Sequence, residues 1–116
     1  MDLNKKIDLD QFSGTENLYK DQLGVLITDG VKNFATEGEC LWAVSDIIVI
    51  CKMQEKVKKE EFVSVKIFSK DSKGVIAYED GNGNKLFEQK YGYCSLPNGS
   101  WTLYYTNNTL LVPGEY

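Results

Sequence analysis

The stretch "ECLWAVSDIIVICKM", residues 39–53, decides how the rest of the chain is read. Val44, Ile47, Ile48 and Cys51 recur at helical spacing, with Leu41 nearby. The run Ile47-Ile48-Val49-Ile50 is rich in β-branched side chains and also suits a buried strand. Length separates the two readings. The segment continues from Cys40 to Met53 without Gly or Pro, well past an ordinary strand of ~5–6 residues. It is therefore expected to be a helix, apolar nearly all round and packed against a sheet. Its cover comes either from this chain alone or from a second copy, so a homodimer is one expected assembly.

With that helix in place, the chain divides at Phe62. Beyond it the period changes to two. "FVSVKIF" puts Val63, Val65 and Ile67 on one face, and "GVIAYED" follows as a second strand. "KLFEQKY" is a third, with Phe87 and Tyr91 together. "WTLYY" groups Trp101, Leu103 and Tyr105 and turns Tyr104 the other way. "TLLV" is a last strand, stopped by Pro113. The turn cluster Asp80–Asn84 and the pair Asn107-Asn108 punctuate the series, Asn being tolerant of positive φ. Helices followed by meandering strands predict an α+β fold: N-terminal helices on one face of a four- to five-stranded antiparallel sheet. Residues 1–116 form one such domain, with 1–11 a polar, partly mobile lead-in.

Upstream, "LITDGVKNF" raises the question of whether Asp29 is a carboxylate placed for chemistry. Thr28 precedes the helical pattern Val31, Phe34, Ala35 and suits an N-cap. Asp29 then meets the positive end of the helix dipole. Gly38 suits the C-terminal end. Ser13 and Glu16 have capping-box spacing and predict a short helix over 14–20, ended by Gly24. "QEKVKKEE" reads as a solvated connector, its Lys residues flanked by Glu.

The side-chain inventory excludes much common chemistry. All 13 basic residues are Lys; there is no Arg and no His. Imidazole bases, the usual zinc ligands and bidentate guanidinium clamps on phosphate are therefore missing. A formal charge of -4 disfavours nucleic acid as a partner and fits a protein with a basic surface. Cys40, Cys51 and Cys94 have no Cys-x-x-Cys spacing, and no apolar signal core opens the chain. The expectation is reduced, buried thiols, a cytoplasmic location and no membrane association. An EF-hand starting at Asp80 fails, because Lys85 and Tyr91 stand where Gly and Glu are required. No cofactor or metal is implied. Asp46, the only charge between Leu41 and Cys51, is a candidate binding residue with Asp29, Trp42 and Tyr104. A carboxylate among Trp42, Val49 and Ile50 is partly desolvated and suited to hold a partner's Lys, or to act with Asp29 as an acid–base pair if their helices pack together. Tyr104, with the Lys56–Lys59 cluster, offers a third reading, a weak nucleic-acid module.

Four stretches, "FSGTENLY" (12–19), "TDGVKNFA" (28–35), "WAVSDII" (42–48) and "LLVPGEY" (110–116), resemble a family of small bacterial and phage proteins known as a domain of unknown function. The resemblance implies no catalytic role. It implies a small protein acting by binding, as inhibitor or adaptor of a host or defence protein. It marks Phe12, Gly14, Thr15, Glu16, Thr28, Asp29, Gly30, Trp42, Asp46, Pro113 and Tyr116, for folding or for function.

Overall fold

The computed structural model describes residues 17–116. Among them an α+β fold is built on one mixed sheet of seven strands. These are β1 (Leu18–Lys20), β2 (Leu26–Thr28), β3 (Phe62–Lys70), β4 (Lys73–Glu79), β5 (Lys85–Tyr91), β6 (Gly99–Thr106) and β7 (Thr109–Leu111). Their order across the sheet is β1-β2-β7-β6-β3-β4-β5. Helices α1 (Asp29–Glu37), α2 (Leu41–Met53) and α3 (Glu55–Lys58) lie between β2 and β3, and a 3₁₀ turn, Pro113–Glu115, follows β7.

The strands after Phe62 meander antiparallel as their alternation requires. β3 is central, pairing with β4 and β6. Tight turns join neighbours: Asp71 and Ser72, then Asn107 and Asn108, all take left-handed φ between 51° and 65°. Such turns match the twist of the strands they connect.

Two features of the sheet and its N-terminal approach differ from the sequence expectation. The sheet is larger and not wholly antiparallel. β1 and β2 form a hairpin ahead of α1, and β2 joins the meander by running parallel to β7. The helix expected over 14–20 is contradicted, because Leu18–Lys20 is a strand. Asp21 makes the local difference. Its carboxylate accepts from the backbone N–H of Leu23 (2.9 Å) and Val25 (3.1 Å), folding the chain into a turn that Gly24 completes at φ +85°. Gly24 thus closes a hairpin and ends no helix. The capping pair Ser13 and Glu16 lies outside the described residues.

α2 spans the apolar stretch as expected. Its inner side, Ala43, Val44, Ile47, Ile48 and Cys51, is buried. It packs with Val31 and Phe34 of α1 onto Val63, Val65, Ile67, Ile76 and Leu103 of the sheet. Burying each large aliphatic chain contributes about 1.5–3 kcal/mol. α2 is not buried all round, however: Leu41 and Met53 are each 65% exposed and Val49 is 45% exposed. The connector after α2 is more ordered than expected. It forms the single turn of α3, anchored by fully buried Val57, with Lys58 paired to Glu55 at 2.9 Å.

The N-cap of α1 is Thr28, whose hydroxyl accepts from Val31 N–H at 3.3 Å. Gly38 is its C-cap, but with φ -83° it does not use a glycine's freedom; Glu39 takes the left-handed position at φ 51°. No helix among the described residues is long and apolar enough to cross a membrane.

Candidate functional site

The four candidate binding residues fall into three separate clusters. The first surrounds the start of α1. Thr28 donates its hydroxyl to Glu115 Oε1 at 2.6 Å. Glu115 Oε2 accepts from Gly30 N–H at 3.2 Å, and Oε1 also accepts from Val112 N–H at 3.0 Å. A carboxylate 85 residues downstream therefore supplies the negative charge that the helix N-terminus favours. Gly30 is required by this contact: a Cβ there would lie 2.7 Å from Glu115 Oε1 and 2.8 Å from Val112 Cγ2. Asp29 points elsewhere. It accepts from Tyr19 hydroxyl at 3.0 Å and from Asn17 N–H at 3.2 Å, which ties β1 to α1. That bond to a carboxylate raises the Tyr19 pKa. Lys32 Nζ sits 4.0 Å from the centre of the Tyr19 ring.

The second cluster joins α2 to the far edge of the sheet. Tyr91, on β5, donates its hydroxyl to Asp46 Oδ2 at 2.8 Å. Its ring meets Trp42 edge-on with centroids 5.3 Å apart, and Trp42 Nε1 donates to Ser95 Oγ at 3.1 Å. Burial first, then the bond to Asp46, pushes the Tyr91 pKa up, so the phenol is a proton donor throughout the neutral range. Asp29 is thus bonded to β1 and Asp46 to β5, the two opposite edges of the sheet. The conditional pairing of these two carboxylates as acid and base gains no support from this arrangement.

The third cluster lies on the sheet face that carries no helix among the described residues. Tyr104 points there, paired in register with Ser64, while Trp101, Leu103 and Tyr105 of the same strand face the helices. Phe62 is its diagonal neighbour, with ring centroids 4.9 Å apart. Tyr116 closes the group edge-on, 5.5 Å from Phe62 and 5.6 Å from Tyr104. Tyr116 is 73% exposed, and Phe68, further along β3 on the same face, is 46% exposed. Acidic groups edge this cluster. Glu61 precedes Phe62, and Glu79 stands opposite Ser64, paired with Lys66 at 3.2 Å. Asp80 heads the turn whose Gly81 lies against the Phe62 ring. Hydrogen bonds from Asn84 and neighbouring backbone hold the Asp80 carboxylate below its usual range, so it stays charged. An open cleft of about 460 Å³ lies beside the β6–β7 turn, lined by Lys58, Glu60, Glu61, Tyr105 and Thr106 and by none of the three rings.

Period-two reading of β6 found the direction of Tyr104. It missed Phe62 and Tyr116 as its partners. The step from β3 to β6 spans some forty residues, and no local pattern encodes it. Glu115 was missed for the same reason, although its position beside Tyr116 in "PGEY" was already conspicuous.

The model of DUF6876, a family of unknown function, matches residues 3–116, and the chain belongs to that family. No curated protein and no solved structure matches it.

Proposed function

From membership of a family with no assigned activity, we propose that the protein works by binding another protein, as an inhibitor or adaptor. The binding surface is the sheet face at Phe62, Tyr104 and Tyr116. The observation that carries this reading is the convergence of three rings on an open face with an acidic border. Tyr and Phe are the side chains that supply interface area at low entropic cost, and clustered aromatics form the centres of protein interfaces. The border selects a cationic partner. A Lys or Arg side chain can lie over a tyrosine ring and reach Glu61 or Asp80. The same border repels phosphates, which disfavours nucleic acid as the ligand. The partner is accordingly a basic segment of a host or defence protein, the target expected for a small phage or mobile-element product. Asp29 and Asp46 each bond a tyrosine at a different edge of the sheet, which supports binding over a carboxylate-based enzyme.

Panning a library of short displayed peptides against the protein tests this. Enriched peptides are expected to carry Lys or Arg and to bind less tightly as salt rises. Tyr104→Ala or Tyr116→Ala should weaken them by on the order of 2 kcal/mol, about thirtyfold. Tyr116 is mostly exposed, so its variant separates binding from folding. Neutral or acidic peptides, or binding untouched by both variants, would refute the proposal.

A further inference from the structure

The outward side of α2 carries a second, independent surface. Leu41, Ser45, Val49 and Met53 recur at i, i+4, i+8 and i+12, and all four are exposed. The stripe bears no charge. Asp46, on its flank, is engaged by Tyr91. A helix whose every side is apolar is normally buried in full. Here the described residues cover one side only, and Leu41 and Met53 remain 65% exposed.

We infer that this stripe is the interface between two copies of the chain, packed as antiparallel α2 helices about a twofold axis. The stripe is self-complementary in size. Its large residues, Leu41 and Met53, are at the ends, and its smaller ones, Ser45 and Val49, at the centre. Antiparallel packing puts Leu41 on the second copy's Met53 and lets the backbones approach at Ser45 and Val49. A row at i±4 spacing is the ridge that interdigitates with its own copy in the commonest helix packing. Charge fixes the direction. Exposed Glu37 and Glu39 precede the helix; at its end and beyond, Lys58 and Glu55 pair with each other, and Lys52, Lys56 and Lys59 outnumber Glu60 and Glu61. An antiparallel pair brings each acidic end onto the basic end of the other copy, twice over, and aligns the helix dipoles favourably. A parallel pair would juxtapose like charges. Two 13-residue helices, each ~20 Å long, bury on the order of 1,000 Å² in total, the low end of specific interfaces. The dimer is therefore concentration-dependent. It leaves the face at Tyr104 free and does not rest on the binding proposed there.

Sedimentation velocity over a wide concentration range tests the inference. The wild-type mass should rise from 13.1 kDa towards twice that value. Val49→Glu, at an exposed position, should stay at 13.1 kDa throughout with an unchanged circular dichroism spectrum. Glu39→Lys should weaken dimerisation by about tenfold, and adding Lys56→Glu should restore most of the loss. A wild-type protein that stays monomeric at every concentration overturns the inference. So does a Val49→Glu variant that dimerises as the wild type does.

Discussion

Removing the Glu115 carboxylate leaves Thr28 hydroxyl and the N–H groups of Gly30 and Val112 without that acceptor. Glu115→Ala should therefore destabilise the fold by about 1–3 kcal/mol, read from the urea midpoint. Gly30→Ala should cost a similar amount by a different route, since its methyl group displaces the same carboxylate. The two substitutions should be strongly non-additive, because both disrupt the bonds of the same carboxylate. A sum of independent effects would show that the carboxylate and the glycine act separately. The cysteines allow a pH prediction. Burial pushes the thiols of Cys40 and Cys51 up to about 12 from an ordinary 9.0. Folding thus favours the protonated form. The contribution is complete below the unfolded value near 9 and declines as pH rises from there towards 12. Thiol-specific reagents should accordingly react slowly with the native protein near neutral pH and quickly with all three cysteines in denaturant. Rapid native labelling of Cys40 or Cys51 would contradict their burial.

At the scale of elements, the question is what ties α2 to the sheet besides its apolar face. Tyr91–Asp46 and Trp42–Ser95 are two polar links from one helix to one edge. A double-mutant cycle on Asp46→Ala and Tyr91→Phe should give a coupling of about 1–2 kcal/mol. A coupling near zero would mean that the hydroxyl and the carboxylate do not meet in solution. The same elements show what the sequence makes legible. α2 could be read from its length without Gly or Pro, the Thr28 cap from one hydroxyl before an apolar period, and Tyr104 from alternation. β1 and β2 could not. Each is three residues long, too short for alternation to register, and their strand character is conferred by pairing with each other and with β7. The meander alone therefore predicted four or five strands where seven occur. Of the residues marked by the family resemblance, Thr28, Gly30 and the PGEY segment meet through Glu115. Trp42 and Asp46 meet through Tyr91. Both constellations join distant parts of the chain, so a local reading could name their members but not their contacts.

The described residues form a sheet with helices on one face and none on the other. The helices seal the core. The open side carries Phe62, Tyr104, Tyr116 and Phe68, with Lys66 balanced by Glu79. Glu61 and Asp80 beside Phe62 are the local charges proposed to attract a basic partner to this face. Association should therefore slow as salt increases, while dissociation changes little. The most direct test is nuclear magnetic resonance of the aromatic side chains during titration with a Lys-rich or Arg-rich peptide selected by panning. The account predicts that the ring resonances of Phe62, Tyr104 and Tyr116 shift first and saturate together. Unmoved rings at these three positions, with shifts confined to the helical side, would contradict it.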